Sequence, residues 1–304
     1  MEGSEVAPRV VVVGDLLYDL LAKVEGEVIF GTDTFVPIRV AAGGSGANAA
    51  AWLASSGIET HFVGRVGDDP FGAFLTKELE RDGVRPHLAR DPSVATGKVF
   101  VLVDGAGERT MITDRGAGEA LGPEDLPEPL FGGGHLHLSG FTLSGGSRRK
   151  TAIKALRLAR QSGMTVSVDP SSVPLLRGIG AGRFLELTRG ADLCFPNLEE
   201  GALLAQAEGS ERIAEGLLSH YSDVVLKLGP EGALYAGADG ERARVPAAPV
   251  RVVDTTGAGD ALCAGFLSAR LSGASSAEAL WRGVRLAREA VARVGARPGA
   301  ESYG

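Results

Sequence analysis

The sequence predicts an α/β protein with a mostly parallel central sheet. Short apolar runs alternate with stretches of helical periodicity, and the runs are continuously apolar, the mark of strands covered on both faces. "RVVVVGD" (9–15) reads as the first strand. "ANAAAWLASSG" (47–57) reads as a helix that stops at Gly57, "THFVGRVG" (60–67) as a strand, and "PFGAFLTKELERDG" (70–83) as a helix stopped by Gly83. Next come a strand "HLHLSG" (135–140), a helix "RRKTAIKALRLARQSG" (148–163), and strands "MTVSVDP" (164–170), "ADLCFPN" (191–197) and "DVVLKLG" (223–229). Helices near 258–271 and 276–294 complete the series. In a sheet of this kind ligands bind beyond the carboxyl ends of the strands.

Two stretches break the rhythm. Residues 16–42 hold strand-like pieces without a good helix. Residues 95–115, "ATGKVFVLVDGAGERTMITDR", read as two strands joined by a turn at Asp104-Gly105-Ala106-Gly107. Together they supply a small four-stranded sheet, a lid inserted in a single domain spanning 1–304; the alternative is two hairpins that extend the main sheet. A lid of this kind closes over a site and excludes water. "GAGEALGPEDLPEPLFGGG" (116–134) is a loop-rich connection.

With 304 residues the chain buries roughly 75% of its unfolded surface, so neither disulfide nor structural metal is needed for stability. A formal net charge of −7 argues against a nucleic-acid or anionic-membrane partner, and no apolar run approaches a membrane span. Cys194 and Cys263 sit in apolar surroundings and read as buried free thiols. The start "MEGSEVAPRVVVVGD" lacks a basic leader and runs straight into a strand, which predicts a cytoplasmic location. His135 and His137 alternate on one strand face without a third ligand at metal spacing.

Glycine clusters carry the chemistry. "AAGGSGANAA" (41–50) opens a helix with bare backbone, including Gly43 and Gly44, and adds Asn48, which both donates and accepts hydrogen bonds; this suits a polyhydroxylated ligand. Gly44-x-Gly46-x-x-Ala49 fits a dinucleotide fingerprint only loosely and follows the wrong strand, and no Walker A loop is present. In "VVDTTGAGDALCAGF" (252–266), Gly257, Ala258 and Gly259 precede a helix near Asp260. Free N–H groups and the positive end of the helix dipole make an anion hole there. Asp254, Thr255 and Thr256 add oxygen ligands, and Ala264-Gly265 lets the helix approach the sheet. Asn197 and Glu200 in "PNLEEGALL" face one way at a strand-to-helix junction, or form a capping box. Lys227 ends a strand before the turn shaped by Gly229 and Gly232; by default it faces solvent.

With these residues in hand, the chain resembles the ribokinase-like (PfkB) carbohydrate kinase family over nearly its whole length. "GGSGANAAAWLASSGIETHFVGRVG" (43–67) and "DTTGAGDALCAGFL" (254–267) match its two long patterns, and "NLEE" its NxxE motif. The resemblance implies a three-layer α/β sandwich with a β lid, often used for dimerisation. It implies ATP-dependent phosphorylation of a primary hydroxyl on a sugar-like molecule, with Mg²⁺ as cofactor. Asp260 would be the catalytic base, with Gly257, Ala258 and Gly259 as anion hole. Asp19, Gly43, Gly44 and Asn48 would hold the sugar. Asn197 and Glu200 would position Mg²⁺ and phosphate through water, and Lys227, Gly229 and Gly232 would lie along the nucleotide. Asp254 and Thr256 match positions that bind a monovalent cation such as K⁺ in several members.

Departures narrow this. Leu17 stands where ribokinases proper carry a sugar-binding Asn, "VDPSS" (168–172) lacks the Asn and Arg that often follow its Asp, and Ala287 or Arg288 replaces an Asn beside adenine. Within the family, nucleosides and 2-keto-3-deoxy sugar acids compete with sugars as acceptor. Arg109 in "GERTM" lies on the lid, to meet a carboxylate or nothing. Outside the family, an NAD-dependent oxidoreductase rests on the loose glycine fingerprint alone, and a non-catalytic sugar sensor has no need of Asp260 with its glycines. Beside a helix start Asp260 is expected to be ionised at neutral pH and so a weak base. The kinase reading requires residue 260 to face the 43–48 loop.

Overall fold

The computed structural model describes residues 8–299, apart from 25, 27, 29, 30 and 106–108. In chain order the elements are β1 (Arg9–Val13), β2 (Leu17–Lys23), β3 (Ile38–Gly43), α1 (Ser45–Ser55), β4 (Glu59–Gly67), α2 (Pro70–Arg81), β5 (Arg85–Asp91), β6 (Thr96–Val103) and β7 (Arg109–Gly116). After three short 3₁₀ turns come β8 (His135–Ser139), α3 (Gly146–Gln161), β9 (Thr165–Asp169), α4 (Val173–Ile179), α5 (Ala181–Leu187) and β10 (Leu193–Cys194). The rest is α6 (Leu198–Ala205), α7 (Ser210–Leu217), β11 (Asp223–Lys227), β12 (Ala233–Gly237), β13 (Arg242–Val245), α8 (Ala258–Leu271) and α9 (Ser276–Val291).

Nine strands form one sheet in the order β13-β12-β11-β10-β9-β8-β1-β4-β5, parallel except where β12 and β13 add antiparallel edges. The four valines of β1 show why it is central. Val11 and Val13 pack into one core with Leu156, Phe184 and Leu217 of α3, α5 and α7, while Val10 and Val12 pack into the other with Trp52, Leu75, Phe266 and Leu280 of α1, α2, α8 and α9. Alternate residues of a strand point to opposite faces, so an unbroken apolar run fills two helical layers at once. Among the described residues no helix is long and apolar enough to cross a membrane.

Local chemistry fixes where helices start. The Asp69 carboxylate accepts the Gly72 N–H at 2.8 Å, with Pro70 at the first helical position of α2; Ser275 and Glu278 form a capping box on α9. Gly265 was expected to bring α8 against the sheet. It faces α9 instead: a Cβ there would stand 2.8 Å from the Gly283 Cα, so two glycines let these helices touch backbone to backbone.

The irregular stretches form a second, four-stranded sheet, β3-β2-β6-β7, rather than hairpins that extend the main one. Its β2 and β6 are parallel neighbours, so the two stretches interleave. Residues 106 and 107 of the expected β6–β7 turn lie outside the described residues. One face of this sheet carries Leu17, Val99 and Val101 in a small buried cluster, together with Asp19. The opposite face carries the paired row Val40, Leu20, Phe100 and Ile112, in which Val40 and Ile112 are exposed.

Candidate active site

The carboxyl ends of β1, β9 and β11, the start of α1 and the start of α8 converge on one place. Asp260 stands in the first turn of α8. Its Oδ1 accepts from the Ser45 hydroxyl at 2.8 Å, and its Oδ2 from the Asn48 amide at 3.0 Å. The glycine loop 43–48 and residue 260 are therefore joined directly, as the kinase reading requires. Gly44 caps α1 with φ +95°, and a Cβ there would stand 2.4 Å from the Asp15 carbonyl oxygen; only glycine lets the loop lie this close to the end of β1.

The α8 N-terminus begins at Gly257 in the left-handed conformation (φ +75°), where a Cβ would come within 2.5 Å of the Ala296 carbonyl oxygen. Gly257, Ala258 and Gly259 thus present a helix start whose first N–H groups have no partner within the helix. Lys227, expected at the surface, is turned inward. Its Nζ lies 2.7 Å from Asp169 Oδ2 and beside Gly259, at 3.3 Å from where a Cβ would stand. The ion pair decides this placement, because an ammonium with only 12% of its side chain exposed needs an opposite charge. Asp169 also accepts from the Cys263 thiol at 3.2 Å and from the Ser171 N–H at 2.9 Å.

Electrostatics corrects one expectation. Asp260 is not held ionised by its helix: burial, reinforced by the nearby negative charge of Asp169, raises it to about 7, against the opposing pull of its bonds to Ser45 and Asn48 and of Lys227. Lys227 is raised despite burial, since Asp169 stabilises its charge. Asp19 is likewise raised to about 7, mainly by burial, with Arg297 pulling it down. Its Oδ1 is buried without a hydrogen-bond partner, and a side chain at Gly43 would collide with its carboxylate at 2.1 Å.

Asn197 and Glu200 do form the capping box on α6, with both bonds at 2.9 Å. Glu200 is buried, and its carboxyl is pushed up by burial while Lys227 opposes the shift. A bridge between Asn197 and Lys227 brings this cap to the end of β11. Gly229 (φ +60°) and Gly232 (φ +95°) shape the turn that follows. Asp254 and Thr256 meet Arg109 of β7, so that arginine finds a carboxylate of its own chain. His135 and His137 are core residues hydrogen-bonded to Thr165 and Ser167, and both cysteines are buried and free. Among the described residues no group of three or more His, Cys, Asp or Glu could hold a metal ion.

Several residues here carried no sequence signal of their own. Ser45 and Arg297 touch Asp260 and Asn48, and Asp15 accepts from the Gly46 N–H at 3.3 Å and from the Ser139 hydroxyl at 3.1 Å. Asp15 also lines a small concavity with Leu17, Arg65, Arg115, Thr142 and Arg148. The Arg115 guanidinium stacks on Phe141 at 4.2 Å, and one of its buried amino groups has no hydrogen-bond partner.

A carboxylate at a positively polarised helix start, beside a glycine loop and a buried lysine, on a three-layer α/β fold with a separate small sheet, defines a small-molecule phosphotransferase. Residues 7–302 match the pfkB family carbohydrate kinase. Fructokinase from Klebsiella pneumoniae is 35% identical over 273 residues, covering 86% of this chain and 83% of that one. An ATP-dependent ribose-1-phosphate kinase from Halopiger xanaduensis is 33% identical over 261 residues, 84% and 81% of the two chains. Among solved structures, adenosine kinase from Sinorhizobium meliloti superposes with a TM-score of 0.87 at 28% identity, covering 96% of each chain. A putative ribokinase II from E. coli in complex with ATP and Mg²⁺ gives 0.84 at 25% identity, covering 96% and 94%. The chain belongs to the pfkB family of carbohydrate kinases, and it is an ATP-dependent carbohydrate kinase.

Proposed function

We propose that this enzyme transfers the γ-phosphoryl group of ATP to a primary hydroxyl of a sugar or sugar-like molecule, with Asp260 as the base. The observation that carries the reading is the bonding of Asp260 to both Ser45 and Asn48 at the mouth of α8. Asp19, Gly43, Gly44 and Asn48 hold the acceptor; the buried, unpartnered oxygen of Asp19 suits a sugar hydroxyl donor. Gly257, Ala258 and Gly259 receive the phosphoryl oxygens with N–H groups already oriented, assisted by the Lys227 ammonium. Lys227, Gly229 and Gly232 lie along the nucleotide.

Mg²⁺ keeps several waters and takes one or two carboxylates besides phosphate oxygens. The site fits such an ion: Glu200, with one oxygen on the Asn197 N–H, and Asn197 would hold it through water, and it would neutralise charge on the phosphates. A base near pH 7 also matches its task, since proton acceptance is most efficient when the base and the operating pH agree. Asp260→Asn should lower kcat by ~10²–10⁴ while ATP still binds. Equal turnover in the variant would remove the role.

Sugar acids such as 2-keto-3-deoxy acids are a second acceptor class; Arg115 lies 3.8 Å from the Asp15 carboxylate and would turn from it to meet an acceptor carboxylate. Nucleosides are the remaining alternative. A phosphorylation screen of sugars, sugar acids and nucleosides with ATP separates them. The small sheet acts as a lid over this cleft and, through its exposed apolar row, as the interface of a homodimer. The enzyme works in the cytoplasm.

A further inference from the structure

The family resemblance puts a monovalent cation at Asp254 and Thr256, and the oxygens of this chain do not fit one. A cation of that kind is held by oxygen lone pairs. Here Asp254 Oδ1 accepts from the Thr256 N–H at 2.8 Å and from the Thr256 hydroxyl at 2.5 Å, and Oδ2 accepts from the Gly295 N–H at 3.1 Å. Oδ1 also meets Arg109, the first residue of β7. Its Nη1 lies 3.1 Å from Asp254 Oδ1 and also bonds Thr256 Oγ1, while Nη2 bonds Thr255 Oγ1. Three successive residues of the loop thus converge on one guanidinium. The Asp254 side chain is 13% exposed, so its charge is poorly served by water and needs a cation.

From this we infer that Arg109 is the resident cation of the loop that leads into the anion hole, a tethered charge in the position a free K⁺ or Na⁺ would fill. A guanidinium is permanently charged and presents donors in a planar fork, which matches one carboxylate oxygen flanked by two hydroxyls. It comes from the small sheet, whereas the loop it neutralises precedes α8. The charge that fixes the loop 254–256 is therefore supplied by the small sheet, from the first residue of β7.

The inference rests on the kinase reading only for its catalytic meaning, and its test uses no turnover, so the two can fail separately. Wild-type protein and R109M are melted in KCl and in tetramethylammonium chloride at equal ionic strength, and crystals of each are grown in RbCl. The wild type is expected to melt at the same temperature in both salts and to show no rubidium anomalous peak at Asp254. R109M is expected to gain at least about 2 °C in KCl and to show a rubidium peak between Asp254 and Thr256. Should R109M not fold, R109Q carries the same comparison. Stabilisation of the wild type by K⁺, rubidium at Asp254 beside Arg109, or a neutral variant indifferent to K⁺ would each overturn the assignment.

Discussion

Asn48 carries an amide whose two ends are alike in shape and opposite in hydrogen bonding. Its oxygen faces Nε of Arg297 at 3.3 Å, and its nitrogen faces Asp260 at 3.0 Å. A guanidinium only donates, so the amide has one orientation that satisfies both neighbours. Arg297 is itself fixed by Asp82 at 3.2 Å and by the Gly43 carbonyl at 3.3 Å, and it is 5% exposed. Removing its donors frees the amide to turn its oxygen toward the carboxylate, which disfavours the ionised base. R297M is therefore predicted to lose roughly 10–100-fold in kcat/KM, the equivalent of about 1–3 kcal/mol for a broken buried bond. Its acid limb in the pH–rate profile should also move to higher pH. Because R297M strands the Asp82 carboxyl, the double variant R297M/D82N separates this effect from loss of folding; an unmoved acid limb in both would dismiss the positioning role. Residues of this kind were not legible in the sequence. Asp260, Asn48 and the glycines announce themselves because their neighbours in the chain are also their neighbours in the site. Arg297 acts through Asn48, 249 positions away, and nothing in its local sequence distinguishes it.

The elements that could be read were those with long uniform patterns. The apolar runs of β1, β8, β9 and β11 and the periodic stretches of α2, α3 and α9 fill both core layers, and their sequences leave little else for them to do. The strand β5, "RPHLARD", has no legible strand pattern because edge strands mix charge with apolar residues and carry prolines. The same holds for β13, "RARV", at the opposite edge. The small sheet was legible as strand-rich but its pairing was not: β2 and β6 join in parallel from stretches far apart in the chain. That pairing creates the row Val40, Leu20, Phe100 and Ile112, with Ile112 64% exposed. A contiguous apolar face marks an interaction surface. If it closes a homodimer, Ile112→Asp should halve the mass seen by light scattering or sedimentation. A monomeric wild type, or a variant that stays dimeric, would rule out this face.

At the scale of the whole molecule two sets of buried groups oppose each other. Burial lowers His135 from 6.5 to about 3 and His137 from 6.5 to about 4. The unfolded chain takes up protons at these sites below pH 6.5 that the folded chain refuses, so acidification destabilises the fold. Asp19 and Asp260 are raised from 3.8 to about 7, so the folded chain takes up protons that the unfolded chain refuses, and acidification stabilises it. Each group contributes a slope of about 1.4 kcal/mol per pH unit, and between about 4 and 6.5 the two pairs cancel. A single substitution uncovers one of these contributions. Asp260→Asn is predicted to lose stability relative to wild type as the pH falls from 7 to 5, by up to ~1.4 kcal/mol per unit, read from urea midpoints. Parallel curves for the two proteins would refute the balance.

The double tether on Asp260 bears on what the enzyme does between substrates. With one oxygen held by Ser45 and the other by Asn48, the side chain is fixed in one orientation at the start of α8, and each oxygen keeps a second lone pair for a further donor. The same two contacts that join the glycine loop to α8 thus set the aim of this carboxylate before any acceptor arrives.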